Sequence, residues 1–354
     1  MERIKPEESL SAQMVRKSLK PTISEKKEYD GDFGTIISTG STLLDLAISG
    51  GRVRGGGLPG GILVEAFGPS GSGKTVLLSE IAGAVQRQGG EIMFADPEAR
   101  LNKQFASMFG LDLSDSEYSR PDTVTDLFTT ISAWEPKSFK KKLINGIFAD
   151  SLAALSTKME MDNKDGDKMG MRRAKEFSEE LRKSARTLVK NNYLMVCSNQ
   201  VRVNMDAGPY GQKYITPGGE AIGFYSSLRL RFTKPEKIWD KQKVVGKEVK
   251  RCIGVEVLID VFKSSIWKPY RSAPVSIIFD YGIDSIRDEL QYIKDFTKNT
   301  TYTCRGVELS NSLDKAISMI EEKQWDGYLK NEVIDLWEEI ESKFTKERDR
   351  KKRK

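Results

Sequence analysis

Two kinds of apolar pattern alternate through the middle of the chain. Short apolar stretches rich in β-branched and aromatic residues predict buried strands, and between the earlier ones apolar residues recur at helical spacing. The predicted strands are 62–67, 91–95, 143–149, 193–198, 228–232, 253–262 and 275–279, and the predicted helices are 74–88, 101–109, 123–133 and 171–191. This alternation predicts an α/β fold with a mostly parallel, doubly wound sheet. The last strands follow one another without helices, which predicts an antiparallel extension at one edge.

Segments of different composition flank this pattern. Residues 1–33 are polar and charge-rich, and we expect them to form an arm or linker. The core is predicted to span 34–282, and residues 283–354 have a helical, charged pattern that predicts a small C-terminal domain with a basic tail. Such a tail is usually a solvated chain end, and a role in nucleic-acid binding is the alternative.

One segment between a predicted strand and a predicted helix has a phosphate-binding signature. It consists of Gly68, Pro69, Ser70, Gly71, Ser72, Gly73, Lys74 and Thr75. A strand, a glycine-rich turn and a helix start present backbone N–H groups and a positive dipole end to phosphate oxygens. Lys74 is expected to reach the β- and γ-phosphates of a nucleotide, and the Thr75 hydroxyl is expected to bind Mg²⁺. An ordinary glycine-rich turn is the weaker interpretation, because both flanks fit the signature.

Polar residues follow three of the predicted strands, at the edge where an open parallel sheet binds its ligands. Asp150 matches an acid that orients Mg²⁺ through its waters, and a residue capping the next turn is the alternative. Glu98 is the best candidate to polarise an attacking water, and a salt-bridged surface glutamate is the alternative. Gln200 is suited to sense the γ-phosphate, although it would be unremarkable as a plain loop residue.

Composition narrows the chemistry. The chain has no histidine, so a general base must be a carboxylate, a lysine, a tyrosine or water. Its three cysteines lie far apart, which predicts neither a disulfide framework nor a zinc ribbon. The first residues lack a signal-peptide pattern and no apolar run approaches the ~20 residues of a membrane span, so we expect a reducing, cytoplasmic setting. The net charge of +6 permits a polyanionic partner without requiring one.

Five segments, in their order along the chain, resemble the RecA family of recombinases, which includes UvsX-like phage members. They are Ile37-Ser38-Thr39-Gly40-Ser41, Phe94-Ala95-Asp96-Pro97-Glu98-Ala99, Ala149-Asp150-Ser151-Leu152-Ala153-Ala154-Leu155, Ser198-Asn199-Gln200-Val201-Arg202 and Pro217-Gly218-Gly219-Glu220-Ala221. The resemblance covers the predicted core. It implies an ATP-dependent recombinase that forms a helical filament on single-stranded DNA and pairs that strand with a homologous duplex.

The resemblance also implies two DNA-binding loops. The first would lie near residues 158–169 and lead into a helix, and the second would span 202–219. The residues it assigns to DNA are Arg172, Arg173, Arg182, Arg202, Met205, Tyr210, Lys213, Gly218 and Gly219. Arginine and lysine suit phosphates, Met205 and Tyr210 could wedge or stack between bases, and glycines permit close backbone approach. Without the family, the second segment is simply a long glycine-containing loop.

Other residues gain roles from the same resemblance. Phe105 would stack on the adenine and Asn102 would meet the base edge, while Phe224 would link the sensor to the neighbouring subunit. Each of the two phenylalanines could equally be a core residue. Lys263 matches the first of two lysines that reach the γ-phosphate across the subunit interface, but Ser265 replaces the second, and Lys268 is near enough to substitute.

These departures suggest a divergent recombinase, such as one from a phage or mobile element. Two further classes remain open on the sequence: a ring-forming helicase with the same core, and a nucleotide-gated scaffold or regulatory ATPase that does not exchange strands. Basic residues beside the predicted loops favour a DNA partner. A single-stranded-DNA-binding protein or a loader would be its expected accessory partner, and no membrane contact is expected.

Overall fold

The computed structural model describes residues 34–101, 103–114, 117–137, 143–162, 169–203, 214–217 and 220–344. Numbered in chain order, the strands are β1 Ile36–Ile37, β2 Leu58–Pro59, β3 Ile62–Gly68, β4 Ile92–Ala95, β5 Glu117–Ser119, β6 Asn145–Ala149, β7 Tyr193–Gln200, β8 Arg202–Val203, β9 Tyr214–Ile215, β10 Leu228–Phe232, β11 Glu236–Val244, β12 Lys247–Ser264, β13 Ser272–Ile278, β14 Gly282–Ile283, β15 Tyr302–Cys304 and β16 Val307–Ser310. The helices are α1 Thr42–Ser49, α2 Lys74–Arg87, α3 Lys103–Met108, α4 Val124–Ala133, α5 Lys158–Asp162, α6 Met169–Asn191, α7 Glu220–Tyr225, α8 Ser285–Phe296, α9 Leu313–Lys323 and α10 Asp326–Lys343.

One large sheet organises the described part of the chain. Its strands lie in the order β14-β13-β12-β10-β3-β7-β6-β4-β5, and β11 pairs with the outer half of β12. Neighbours from β10 to β5 are parallel, whereas β12, β13 and β14 join antiparallel. The predicted α/β fold, with a mostly parallel sheet and an antiparallel edge, is confirmed.

Helices cover both faces of the parallel part. Ile147 of β6 belongs to a buried cluster with Phe128 of α4 and Phe177 of α6. The preceding residue, Gly146, faces α2, because a Cβ atom there would lie 3.4 Å from Val85 Cγ2. Successive strand residues point to opposite faces, so α2 lies on one face and α4 and α6 lie on the other. This is the doubly wound arrangement that the sequence predicts.

The antiparallel edge extends further than the sequence predicts. A strand is expected at 253–262, but β12 runs over Lys247–Ser264 and pairs with β11, which the sequence pattern does not predict. The outer half of this hairpin is exposed and rich in lysine, so it lacks the apolar alternation that marks a half-buried strand. The other predicted strands and helices occur with ends shifted by a few residues.

The C-terminal helices pack against this antiparallel edge. Helix α8 contacts β13 and α1, and α10 contacts α8. Asp288 of α8 accepts hydrogen bonds from Ser276 N at 2.9 Å and Ser276 Oγ at 2.7 Å. Burial raises the pKa of Asp288 to about 7. Among the described helices, none combines the length and apolar composition needed to cross a bilayer.

Candidate functional site

The phosphate-binding loop joins the end of β3 to the start of α2. Gly71 and Gly73 have φ angles of +71° and +86°, a region that favours glycine. Gly73 has a second constraint, because a Cβ atom there would lie 2.2 Å from Ile277 Cδ1 of β13. The loop is therefore tightly folded and ends where the first turn of α2 has N–H groups without intrahelical partners.

The side chain of Lys74 lies back across this loop. Its Nζ donates hydrogen bonds to Gly68 O at 3.2 Å and to Pro69 O at 2.6 Å. Burial lowers the pKa of Lys74, while the charges of Asp150 and Glu98 act in the opposite direction. The ammonium is thus held inside the loop, close enough to interact electrostatically with Asp150 and Glu98, the two carboxylates predicted to serve the same site.

Asp150, at the end of β6, meets the first turn of α2. Its Oδ2 accepts a hydrogen bond from Thr75 Oγ1 at 2.6 Å, and its Oδ1 accepts one from Ser198 Oγ of β7. The peptide bond between Asp150 and Ser151 is cis. Carboxylate and hydroxyl oxygens are ligands that Mg²⁺ prefers, so Thr75 and Asp150 together fit a magnesium site.

Glu98 lies in the turn after β4 and uses both of its carboxylate oxygens. Oε1 accepts a hydrogen bond from Gln200 Nε2 at 3.2 Å, and Oε2 lies 2.8 Å from Arg100 Nη1. The intervening Ala99 has a φ of +52°, which turns the chain between the two charged residues. Arg100 is a partner that sequence reasoning missed. Its side chain is 73% exposed, so this ion pair is weak and readily released.

An apolar cavity of about 350 Å³ lies beside the phosphate loop, between α3 and the end of β13. Its apolar lining comes from Val76, Phe105, Met108, Phe109, Ile277, Ile278 and Phe279. The rings of Phe105 and Phe109 pack edge to face with centroids 4.7 Å apart. Concave apolar surface with an available aromatic face suits a flat heterocycle such as adenine. Phe105 lines this cavity, its stacking on adenine stays a prediction, and Asn102 lies outside the described residues.

Phe279 is a pocket residue that the sequence did not single out. Its side chain is half exposed and forms part of the cavity wall. The available signal was its position at the end of a predicted strand, the same signal that indicated Glu98, Asp150 and Gln200. Because β13 is antiparallel to its neighbours, that rule did not extend to it.

The residues predicted to bind DNA lie on α6 and around the second loop. Arg172 and Arg182 are exposed on α6, whereas Arg173 donates from Nη2 to both carboxylate oxygens of Glu160 at 3.0 Å. Arg202 begins β8, which pairs with β9 at the base of the second loop. The remaining members of the set, Met205, Tyr210, Lys213, Gly218 and Gly219, lie outside the described residues. All these assignments stay predictions.

The predicted interface segment follows β12. Lys263 Nζ donates hydrogen bonds to Gly223 O at 2.8 Å and Phe224 O at 2.9 Å, which attaches it to α7. Partial burial lowers the pKa of Lys263, and the nearby Arg229 acts in the same direction. Phe224 itself is 75% exposed. Lys268 Nζ lies 5.3 Å from the centre of the Trp267 ring.

Comparison with known proteins agrees with this geometry. A family model described as the RecA N-terminal domain matches residues 18–284. The chain belongs to the RecA family. Protein RecA of Anaplasma marginale (strain Florida) is 30% identical over 338 residues, which cover 94% of this chain and 86% of the relative. Protein RecA of Thermus thermophilus is 34% identical over 253 residues, covering 72% of this chain and 69% of the relative.

As a member of the RecA family, the protein is an ATP-dependent recombinase and a DNA-dependent ATPase. The family and the function that the five short segments imply are therefore confirmed. Membership favours DNA recombination and repair over a ring-forming helicase or a scaffold without strand exchange. It also establishes, at the level of the family, that the chain binds nucleotide and DNA.

Proposed function

We propose that this RecA-family protein forms a helical filament on single-stranded DNA, with ATP bound between subunits, and pairs that strand with a homologous duplex. The observation that carries the proposal is the meeting of three strand ends at one phosphate loop. β4, β6 and β7 bring Glu98, Asp150 and Gln200 to the loop that holds Lys74. Side chains suited to binding the phosphates, holding the metal, activating the water and sensing the γ-phosphate would thus act at one site.

ATP would bind with its phosphates along residues 68–75. The backbone N–H groups of Ser70, Gly71, Ser72 and Gly73 would surround the phosphate oxygens. Lys74 would exchange the carbonyl oxygens of Gly68 and Pro69 for β- and γ-phosphate oxygens, which carry full charge and bind an ammonium more strongly.

The adenine would enter the apolar cavity against Phe105 and Phe279, with Asn102 at its edge.

Mg²⁺ would be held by Thr75 directly and by Asp150 through metal-bound waters. When bound there, the ion neutralises charge that develops on the phosphate oxygens during hydrolysis. The 2.6 Å contact between Thr75 Oγ1 and Asp150 Oδ2 supports the assignment, because the two oxygen donors already converge.

Glu98 would accept a proton from the water that attacks the γ-phosphorus. Its carboxylate is available for this once Arg100 and Gln200 release it, and the chain has no histidine to compete for the role. Gln200 would turn to the γ-phosphate when ATP is present and return when phosphate leaves. Since Gln200 lies two residues before the second loop, this exchange would favour DNA binding in the ATP state.

DNA would be held by the two loops and by α6. Arg172, Arg182, Arg202 and Lys213 would contact phosphates, Met205 and Tyr210 would contact bases, and Gly218 and Gly219 would let the backbone approach the strand. Arg173 would join them only by giving up its contact with Glu160.

Residues after β12 and in α7 would act between subunits. Lys263 would approach the γ-phosphate bound to the neighbouring subunit, and Lys268 would replace the positive charge absent at Ser265. Phe224 would contact the adjacent protomer.

The proposed setting is the cytoplasm, where the DNA substrate is found. A single-stranded-DNA-binding protein and a loader are the accessory partners that such a filament would use. Both follow from the proposed reaction rather than from any contact in this chain.

The decisive experiment is steady-state ATP hydrolysis with and without single-stranded DNA, combined with negative-stain images of the same samples. We expect strong stimulation by DNA and open helical filaments, followed by strand exchange with a homologous duplex. An ATP hydrolysis rate that is the same with and without DNA would favour a regulatory ATPase, and closed rings would favour a ring-forming motor.

A further inference from the structure

Strand β3 carries one acid, Glu65, in the middle of an apolar sequence. Its side chain is fully buried in the central sheet, and the nucleotide and DNA roles proposed above do not use it. Burying a carboxylate is costly unless it is paired and hydrogen-bonded. The partners of Glu65 therefore indicate what this side chain does.

The two oxygens of Glu65 bind two separate parts of the protein. Oε2 accepts a hydrogen bond from Arg229 Nε at 2.6 Å, and Oε1 accepts one from Asn199 Nδ2 at 3.0 Å. The Arg229 guanidinium carbon lies 4.5 Å from the ring centre of Phe67 and 5.5 Å from that of Phe262. These rings exclude water from the ion pair, and a low local dielectric strengthens it and makes its geometry definite.

Asn199 connects the two ends of the second loop. Its Nδ2 also donates to Pro217 O at 3.1 Å, and its Oδ1 accepts a hydrogen bond from Gln200 N at 3.0 Å. Residue 200 lies just before that loop and residue 217 lies near its end, so one amide side chain joins the phosphate-sensing end to the returning end. The hydrogen bond from Asn199 Nδ2 to Glu65 Oε1 holds this amide in that orientation.

Arg229 extends the same network to α7. A Cβ atom at Gly223 would lie 2.9 Å from Arg229 Nη1, so the helix backbone packs closely against the guanidinium. The carbonyls of Gly223 and Phe224 in turn accept hydrogen bonds from Lys263. One buried carboxylate thus supports the base of the second loop and the interface segment together.

We propose that Glu65 is a positioning residue that couples the γ-phosphate sensor to the second loop. It acts through Asn199 and Arg229 and contacts neither nucleotide nor DNA. The inference rests on the proposed role of the second loop in DNA binding. Without the carboxylate, the ends of the loop lose their common support, whereas the phosphate loop keeps its own contacts through Lys74 and Thr75.

The test uses the full-length Glu65→Gln variant, which preserves shape but removes the charge that Arg229 binds. Three quantities are measured: binding of a fluorescent ATP analogue, ATP turnover with and without single-stranded DNA, and amide hydrogen exchange of residues 214–216. Nucleotide binding and DNA-free turnover are expected to stay at the parent level, stimulation by DNA to fall about ten-fold, and exchange at 214–216 to accelerate.

Asp288→Asn is the matched control. It also changes a buried carboxylate with two hydrogen bonds, but that carboxylate joins α8 to β13 rather than to the second loop. DNA stimulation is expected to be unchanged in this variant. An equal loss in both variants, or a loss of nucleotide binding with Glu65→Gln, would mean that Glu65 is only structural and would overturn the proposal.

A second variant separates folding from coupling. Asn199→Ala leaves the ion pair of Glu65 and Arg229 intact but removes the link to Pro217, and it should show the same loss of stimulation and the same faster exchange. Parent-like stimulation in Asn199→Ala would contradict the proposal. Failure of the proposed function can be told apart from failure of this inference. In the first case the parent protein itself would show no stimulation by DNA, while the hydrogen-exchange measurement would still report on the residues near the end of the second loop.

Discussion

The two ends of the proposed nucleotide site are constructed differently. At the phosphate end, Lys74, Thr75 and Asp150 are already bound to loop carbonyls or to one another by hydrogen bonds. At the base end, Phe105 and Phe279 offer apolar surface and shape. Directed bonds control where charge is stabilised during reaction, whereas apolar contact mainly controls how tightly the ligand is held. Changes at the first end should therefore alter turnover, and changes at the second should alter affinity.

The largest effect is expected from Lys74→Ala. Removing the ammonium leaves the phosphate charge without its main protein cation, so kcat/KM should fall by roughly 10³-fold. Steady-state ATP hydrolysis measures the loss, and thermal melting of the variant checks that the fold is intact. A variant with parent turnover would show that Lys74 is not in the site.

Glu98→Gln should lower kcat by about 10²-fold, because the amide cannot accept a proton from water. ATP and DNA binding should persist, since the phosphate loop and second loop are unchanged. Arg100→Ala is the control, as it removes the partner of Glu98 but leaves the carboxylate, and it should retain most turnover. Simultaneous loss of nucleotide binding in Glu98→Gln would assign the residue a structural role.

At the base end, Phe105→Ala and Phe279→Ala should each raise KM for ATP about ten-fold with little change in kcat. The lost stacking is uniform between bound substrate and transition state, so turnover at saturation is preserved. Phe296→Ala, which removes an exposed aromatic ring on α8, is the control. A fall in kcat at constant KM would remove the distinction between the two ends.

The smallest effect concerns β13, the strand that forms one wall of the proposed base pocket. Burial raises the pKa of Asp288 to about 7 from 3.8, and its partner Ser276 precedes Ile277 of that wall. Between these two pH values the folded state holds a proton that the unfolded chain releases. The contribution of protonated Asp288 to the free energy of unfolding is therefore complete below pH 3.8 and is lost as the pH rises through 7. Thermal melts should show Asp288→Asn gaining about 3–5 °C over the parent between pH 5 and pH 8. A constant offset across this range would contradict the assignment.

The residues of the proposed phosphate end could be picked out from sequence because each carries a local signal. Lys74 belongs to a contiguous motif, and Glu98, Asp150 and Gln200 each lie at or just after the carboxyl end of a parallel strand. Phe279 comes from an antiparallel strand far along the chain, and nothing local connects it to Phe105. Asn199 and Glu65 were equally hidden, because their roles depend on hydrogen bonds between distant segments. The β11–β12 hairpin was missed because exposed lysines conceal its strand periodicity.

One contact makes the phosphate loop and the wall of the neighbouring cavity depend on each other. Ile277 Cδ1 occupies the space that a Cβ atom at Gly73 would need. A side chain at residue 73 would have to push this methyl group aside, and the positive φ angle at 73 would strain any replacement for glycine. Because Ile277 also lines the apolar cavity, a larger residue at position 73 would change the shape of that cavity as well as the fold of the loop.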